Sequence, residues 1–326
     1  MTGRIPGDPT GSGARVARPR ARATGQDDRT SGVSRIVLVD KPEGWTSYDV
    51  VRRAKSAYRG KIGHAGTLDP FATGLLLVLF GQATRVSSLM MDLPKQYEVT
   101  VQFGAVSSTG DPTGDVSSTG GRTDMTSILR ALDHFRGEIR QKVPLTSAVK
   151  VDGEPLYRKA HRGETADTPE RAVMIYGLDA VRFDADTQRL ELLALTGKGT
   201  YVRRLAEDIG SLLGVGAYAA TLRRTRIGRF RADQAVGPEA FTPGLLGSIG
   251  SEGAQFGCCL TLSDGVSHLP AFRVDAATAA RVANGNDLTG GPGGLFSVHS
   301  GDRLLALYEG PPTRARPRVV FPVPEE

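Results

Sequence analysis

The chain has 326 residues, with 41 Lys and Arg against 35 Asp and Glu, so its formal net charge is +6. This length allows about two domains and excludes a single small module. The longest apolar run, Leu75 to Phe80, is far below the ~20 residues that cross a bilayer, and no apolar segment follows the basic N-terminus as a signal peptide requires. We therefore expect a cytoplasmic protein without a membrane partner.

Residues 1–34 combine six arginines and three aspartates with Gly, Pro, Ser and Thr, and they contain almost no large apolar residue. A segment of this composition cannot bury enough apolar surface to fold, so it predicts a disordered basic tail. Because the tail carries half of the net charge, the overall charge says little about the ordered part of the chain.

The first ordered part of the chain shows a pattern of interleaved strands and helices. The run from Ile36 to Val39 is typical of a buried strand, and Thr46 or Ser47 is suited to cap the helix that follows. Gly60 should end that helix, whose apolar side consists of Val50, Val51, Ala54 and Tyr58. After a loop over 61–74 we expect a strand over 75–80, a helix over 83–91 and a strand over 97–103.

The rest of the chain continues this mixed order and ends in a separate unit. We expect a helix over 126–135 whose apolar side consists of Ile128, Leu129, Leu132 and Phe135. A strand over 190–195 and a glycine turn precede a helix whose apolar side consists of Val202, Leu205, Ile209, Leu212 and Leu213. The glycine-rich segment 237–257 is typical of a linker. Short apolar stretches beyond it predict a small β domain with one helix near 276–282.

Residue patterns for metal sites and cofactors are absent from the sequence. Cys258 and Cys259 are adjacent and offer neither a disulfide framework nor a CxxC pair, and the histidines show no HxxxH or HxH spacing. The phosphate-binding patterns GxGxxG and GxxxxGKS/T do not occur either. We therefore expect no metal and no cofactor.

The segment 63–74 packs three glycines, His64 and Asp69 into a loop between regular elements. Pro70 biases Asp69 toward an extended backbone, so the carboxylate can project from the loop. From the residues alone, Asp69 is either a turn residue or a group that takes part in chemistry.

Arg203 and Arg204 lie in the predicted first turn of a helix, where the helix dipole favours acidic side chains. Such a departure from a local rule is typical of functional sites. Arg203 could hold a carboxylate or bind a phosphate, and both arginines could instead be exposed residues with buried stems.

Two basic stripes lie in the ordered part of the chain. Residues 222–231 contain five arginines, among them Arg223 and Arg224, and no acid, and residues 142–163 have five basic against two acidic side chains. Such stripes contact phosphates where they face one groove and are solvated surface where they do not.

Five segments resemble, in the same order, the motifs of the TruB-type tRNA pseudouridine synthases. The most specific is GHAGTLDPFATG at 63–74, and the others are KPEGWTS at 41–47, KQY at 95–97, SAVKVDG at 147–153 and GTYVR at 199–203. The resemblance extends from about Ile36 to Phe230. The chain departs from the family pattern over 143–146, which lack a double proline and a tyrosine, and at Thr196, which replaces a frequent Cys or Ser.

The resemblance implies an α+β fold, with a pseudouridine synthase catalytic fold built on a mixed, largely antiparallel central sheet and a small C-terminal PUA-like β domain. The implied layout is a basic tail over 1–34, a catalytic domain over 35–236 with a mobile thumb over about 141–167, a linker over 237–257 and a PUA-like RNA-binding domain over 258–326. It also implies a monomer that uses no cofactor.

The activity that the resemblance implies is isomerisation of uridine 55 in the TΨC loop of tRNA, after the base has been flipped out. Asp69 would act as nucleophile at C1′ or as a base, Arg203 would be its ion-pair partner, and Tyr97 would stack on the uracil. The residues implied to bind substrate or RNA are His64, Tyr201, Lys41, Lys150, Arg223 and Arg224. The tRNA would be bound at its T-arm and elbow, with the acceptor stem as a further contact.

Two other functions remain open at the level of sequence. A guide-RNA-dependent pseudouridine synthase has closely similar catalytic motifs but needs partner proteins, and the chain lacks a long Lys-rich tail. A non-catalytic tRNA-binding or tRNA-folding protein would use the same basic surface without chemistry. Substitution of Asp69 separates the catalytic functions from this last one.

Overall fold

The structure of the chain, a computed structural model, describes residues 34–322 except 148, 152, 163, 165, 166 and 243–256. The predicted tail, apart from Ser34, and most of the predicted linker lie outside the described residues. Within these limits, no helix is long and apolar enough to cross a membrane.

The described chain contains strands, α-helices and short 3₁₀ helices in mixed order. The strands are β1 (Arg35–Lys41), β2 (Ile62–Ala65), β3 (Thr73–Phe80), β4 (Lys95–Phe103), β5 (Ala105–Ser107), β6 (Val116–Ser118), β7 (Gly137–Lys142), β8 (Lys150–Val151), β9 (Glu154–Pro155), β10 (Glu170–Asp184), β11 (Arg189–Thr196), β12 (Ala217–Ile227), β13 (Phe230–Arg231), β14 (Cys259–Leu260), β15 (Ala271–Arg273), β16 (Gly294–Ser300), β17 (Arg303–Gly310) and β18 (Arg316–Val320). The α-helices are α1 (Ser47–Ala54), α2 (Ser87–Asp92), α3 (Met125–Asp133), α4 (Leu156–His161), α5 (Val202–Leu212) and two later helices, Leu262–Gly265 and Ala276–Ala283. The 3₁₀ helices are Gly81–Val86, Ala232–Gln234 and Pro238–Ala240.

Ten strands form one mixed sheet in the order β14-β1-β3-β12-β4-β11-β10-β7, with β13 paired to β12 and β2 paired to β3. Its pairs are antiparallel except that of β12 with β3, which is parallel. The pairs β5-β6 and β8-β9 are separate hairpins, and β15-β16-β17-β18 form a second sheet. The predicted α+β fold with a largely antiparallel central sheet is confirmed.

Strand β3 lies where the loop that carries Asp69 rejoins the sheet. One edge of β3 pairs with β1 from Gly74 to Phe80. The other edge is shared, because Thr73 and Gly74 pair with β12 while residues 77–80 pair with β2. The prediction of a loop over all of 61–74 was wrong, since β2 satisfies backbone groups of β3 that β12 leaves unpaired.

Helix α1 begins as predicted and ends earlier. Thr46 caps it in a capping box with Asp49, in which each side chain accepts from the other residue's backbone N–H. The helix ends at Ala54 rather than at Gly60, since the chain turns over residues 55–57 and brings Tyr58 against the ring of Phe80, 5.4 Å away between centroids. The predicted helix over 83–91 is divided into a 3₁₀ helix and α2.

A large core lies between the ten-stranded sheet and helices α3 and α5. It includes Ile128 and Leu132 from α3 and Ile209 from α5. Leu129 and Leu212, which we predicted to face this core, are 47% and 52% exposed. The buried side of each helix is therefore narrower than predicted. Leu129, for example, lies about 100° around the helix axis from the buried Ile128.

The residues on both sides of 243–256 pack against the ten-stranded sheet. Phe241, inside the predicted linker, is buried with its ring centroid 5.9 Å from that of Phe80. Strand β14, inside the predicted C-terminal domain, pairs with β1. The ten-stranded sheet is thus in contact with part of the predicted linker and includes a strand from the predicted C-terminal domain. The second sheet follows, with the predicted helix Ala276–Ala283.

Candidate active site

The loop between β2 and β3 holds Asp69 through several fixed backbone groups. Ser47 accepts a hydrogen bond of 2.9 Å from the Leu68 amide and donates one of 3.2 Å to the Leu68 carbonyl. The carbonyl of Pro70 accepts from the Gly44 amide at 2.8 Å. The backbone on either side of Asp69 is therefore anchored, while its side chain remains 29% exposed.

Asp69 forms an ion pair with Arg203, the second residue of α5. Nε of Arg203 lies 3.0 Å from Oδ2 of Asp69, and Nη2 lies 3.4 Å from Oδ1. The Arg203 side chain is only 3% exposed, so it is not a solvated arginine with a buried stem. Of the interpretations open at the level of sequence, the structure supports the one in which Arg203 holds a carboxylate.

A second carboxylate, Asp111, contacts the same guanidinium and was missed in the sequence. Its Oδ2 lies 3.4 Å from Nη1 of Arg203, and Oδ1 accepts from the Thr113 amide at 3.0 Å. Nη1 also donates to the Thr109 carbonyl at 2.8 Å and to the hydroxyl of Thr146. The available signal was Asp111-Pro112, the same dipeptide as at Asp69, in a loop rich in Gly, Ser and Thr.

The charges around Asp69 act on its pKa in opposite directions. Burial raises the pKa of the Asp69 carboxyl, the neighbouring Arg203 lowers it, and Asp111 raises it. The net direction is upward from the ordinary value. Among the charges around Asp69, Arg203 is the one that most favours the ionised carboxylate, against burial and a second carboxylate.

Two predicted aromatic residues and a predicted histidine lie on elements that adjoin the loop or α5. Tyr97 of β4 is buried in the same apolar cluster as Leu68. Tyr201 precedes α5, and its amide and carbonyl both bind the side-chain amide of Gln141, at 2.8 and 3.1 Å. His64 lies on β2, where burial and the charge of Arg224 lower the pKa of its imidazole.

Lys41 and Arg224 were predicted to bind substrate or RNA, but both are buried. Lys41 donates to the carbonyls of Pro42 at 2.9 Å, Trp45 at 2.7 Å and Pro70 at 3.3 Å, and burial lowers its pKa to about 8. Arg224 is 1% exposed, and among the described residues it donates to the backbone carbonyls of Gly66, Thr67 and Leu75 alone. Neither cation is accessible to a phosphate, so both contact the protein instead.

The arginines of 222–231 do not form one basic face. Most of them lie on β12, and successive side chains of a strand point to opposite faces of the sheet. Arg223 binds Asp40 through both terminal nitrogens, at 3.0 and 2.6 Å, while Arg229 and Arg231 pair with other acids. Of the two interpretations left open for this stripe, the structure does not support one in which all five arginines face a single groove, because the side chains of a strand alternate between its two faces.

The predicted thumb contains the hairpin β8-β9 and helix α4. Lys150 is exposed on β8. Arg162 binds the carboxylates of Glu154 and Glu164 at 2.7 and 2.6 Å, so part of the basic excess predicted there is neutralised. Among the described residues, no group of three His, Cys, Asp or Glu side chains could hold a metal ion.

Comparison with known proteins places this site in a family. Residues 52–202 match the TruB family pseudouridylate synthase (N terminal domain), and residues 203–243 match the tRNA pseudouridylate synthase B C-terminal domain. The tRNA pseudouridine synthase B of Aromatoleum aromaticum is 38% identical over 281 residues, which are 85% of this chain and 89% of that relative. The chain belongs to the TruB family of pseudouridylate synthases. Asp69 lies within the first TruB match and Arg203 opens the second.

A further TruB relative agrees with this placement, and solved structures share the fold. The tRNA pseudouridine synthase B of Pseudomonas fluorescens (strain Pf-5) is 44% identical over 209 residues, 63% of this chain and 67% of that relative. A Cbf5-Nop10-Gar1 complex has a chain with a TM-score of 0.68 and 25% identity, covering 90% of this chain and 86% of its own. An H/ACA RNP bound to a substrate RNA containing 2′-deoxyuridine gives a TM-score of 0.66 at 23% identity, covering 88% and 84%. The second sheet lies beyond both matched TruB regions.

Proposed function

We propose that this chain is an isomerase that converts uridine to pseudouridine in tRNA, at position 55 of the TΨC loop. The observation that carries the proposal is the ion pair of Asp69, which lies in the most specific TruB-like segment, with the buried Arg203. That segment lies inside the N-terminal TruB match.

The proposed reaction rearranges bonds within one nucleotide and consumes no other reactant. The bond from C1′ to N1 breaks and a bond from C1′ to C5 forms. The proton on C5 is lost, and N1 gains one. The protein must therefore supply one group that acts at C1′ and others that hold the detached base and move a proton.

Asp69 is our candidate for the group that acts at C1′. A carboxylate can attack carbon or remove a proton only when it is ionised, and Arg203 opposes the upward shift of the Asp69 pKa that burial causes. Because the guanidinium contacts both carboxylate oxygens, it also fixes their orientation. This contact supports Arg203 as the orienting partner and serves either role of Asp69.

The target uridine must leave its stack to reach a carboxylate that is mostly enclosed by protein. Tyr97 is our candidate for stacking on the flipped uracil, and Tyr201, two residues before Arg203, for lining the same pocket. His64 would replace lost stacking in the opened loop, and its lowered pKa favours the neutral imidazole for that contact.

The rest of the tRNA would be bound by two further parts of the chain. We assign the T-arm and elbow to the thumb over 141–167, with Lys150 as an exposed cation. We assign the acceptor side to the second sheet as a PUA-like domain, where Arg273 and Arg318 are 69% and 53% exposed. In this proposal the chain acts as a monomer in the cytoplasm, without a cofactor.

Independence from a guide RNA is part of the proposal. The relatives named tRNA pseudouridine synthase B share 38% and 44% of their aligned residues with this chain, against 23% and 25% for the chains from H/ACA complexes. The higher identity favours action on tRNA without partner proteins.

The test uses the purified chain, no guide RNA, and two unmodified tRNA transcripts that differ only in uridine or cytidine at position 55. We expect pseudouridine, mapped by chemical modification and reverse transcription, in the uridine transcript alone. Asp69→Asn should bind the transcript and form no product, whereas Asp115→Asn, an exposed change in a neighbouring loop, should remain active. Lack of product at this uridine with the unaltered chain would refute the proposal, and product from Asp69→Asn would refute the role of Asp69.

A further inference from the structure

Arg224 is among the largest fully buried side chains of the protein, yet no described carboxylate lies within ion-pair distance of it. A buried charge is costly unless its donors are satisfied, and an apolar side chain of similar size would often serve stability as well. The guanidinium therefore calls for an explanation other than core packing.

Its donors bind both ends of the segment that carries Asp69. Nη2 donates to the Gly66 carbonyl at 2.9 Å and Nη1 to the Thr67 carbonyl at 3.5 Å. Nε donates to the Leu75 carbonyl at 2.7 Å. The guanidinium thus links the start of the loop to Leu75, the third residue of β3, and Asp69 lies between these two attachments.

Two glycines of this segment with positive φ lie next to Arg224, and Gly74 allows the backbones to approach closely. Gly74 has φ +102°, and a Cβ there would lie 2.3 Å from the Arg224 carbonyl oxygen. Gly66 has φ +88° and faces the guanidinium, with Nη1 3.5 Å from the position of a Cβ. Arg224 therefore contacts this segment through its backbone, at Gly74, and through its side chain, at Gly66.

We propose that Arg224 is a positioning residue for the isomerisation, which ties residues 66–67 to Leu75 and so presents the Asp69 carboxylate to Arg203 and to the flipped nucleotide. This inference rests on the proposed function. It replaces the RNA contact that the sequence suggested for Arg224. The fork of an arginine reaches both ends of the segment at once, whereas the single ammonium of a lysine is a point donor.

The charge of Arg224 provides a second, separable signature. Burial is the larger cause of the lowered pKa of the His64 imidazole, and the charge of Arg224 lowers this pKa further. A lysine at this position keeps the positive charge and loses the fork, whereas a methionine loses both. The two variants therefore distinguish the effect of geometry from the effect of charge.

The experiment compares Arg224→Lys and Arg224→Met with Arg182→Met, which removes a 72% exposed arginine of β10. Single-turnover rate, tRNA affinity and the pH titration of the His64 ring by NMR are measured on the full chain. We expect both Arg224 variants to lose about 100-fold in rate, the order of loss that a shift of 1 Å at a reacting group causes, with tRNA affinity unchanged. The pKa of His64 should rise in Arg224→Met only.

Several results would overturn the inference. If Arg224→Lys keeps the full rate, the two-ended attachment is not required, and if tRNA affinity falls together with the rate, Arg224 acts in binding. If Arg224→Met does not fold, Arg224→Lys alone decides between these results. Absence of product from the unaltered chain would instead refute the proposed function, so the two failures are distinguishable.

Discussion

The substitution Asp69→Asn tests whether the carboxylate proposed to be catalytic is held at a cost to stability. In the folded protein Oδ2 of Asp69 lies 3.0 Å from Nε of Arg203. Two unit charges at that distance attract by about 5 kcal/mol at an effective dielectric constant of about 20. Transfer of a carboxylate to the interior costs several kcal/mol, and Asp111 adds repulsion, so burial and Asp111 together outweigh Arg203 and leave the pKa of Asp69 raised.

The sign of the pH dependence follows from that raised pKa. Below the pKa that the Asp69 carboxyl has in the unfolded chain, this carboxyl is protonated in both the folded and the unfolded state. It then adds no pH dependence to the free energy of unfolding. As the pH rises above that value, the unfolded state releases its proton first, so the unaltered protein loses stability by at most about 1.4 kcal/mol per pH unit. Asparagine does not titrate, so the Asn variant gains stability relative to the unaltered protein between acid and neutral pH.

Urea unfolding of both proteins, at about pH 3.5 and at pH 7, measures this change. We expect the difference in free energy of unfolding to move in favour of Asp69→Asn on going to pH 7, while the variant forms no pseudouridine. Asp115→Asn, in an exposed loop position, should show no such trend. A difference that moves toward the unaltered protein with rising pH would refute the reasoning, because it would mean that Arg203 outweighs burial and Asp111.

Two further predictions concern the loop and the RNA surface. Gly74→Ala should lower the free energy of unfolding by ~2 kcal/mol or more, because it adds strain at positive φ and a steric clash with Arg224. Gly44→Ala is the control, because Gly44 has φ +78° and open space around a Cβ, so this variant should show the strain alone. Equal losses in a thermal unfolding assay would contradict the close approach. Lys150→Gln should reduce the slope of log affinity against log salt by about one, as for one lost phosphate contact, and Arg182→Gln should leave it unchanged. An unaltered slope for Lys150→Gln would place that lysine away from the tRNA.

The sequence was sufficient for those features that depend on local pattern. The cap at Thr46 and the strands β1, β3 and β4 follow from cap chemistry and from runs of apolar or alternating side chains. Strand β2 was not predictable in this way. It contains Gly and His, and it forms because β3 has an edge for it to pair with.

The candidate site was predicted through motifs and not through spacing. Asp69 and Arg203 are 134 residues apart, and only their common resemblance to one family indicated that they would meet. Arg224 was misassigned because a count of arginines along the chain does not show which face of a strand each one takes. Asp111 lay outside every recognised segment, although it shares with Asp69 the position before a proline.

The attachment of Arg224 to Gly66 joins residues 158 positions apart, and it has a consequence for synthesis on the ribosome. The chain is made from its N-terminus, so the residues around Asp69 emerge long before Arg203 and Arg224. The contacts of the loop with Ser47 and Gly44 can form early, whereas the pairing of Thr73 and Gly74 with β12 must wait until β12 has been translated. We therefore expect a nascent chain to lack both the Asp69–Arg203 pair and the Arg224 attachment until about two thirds of the protein has been made.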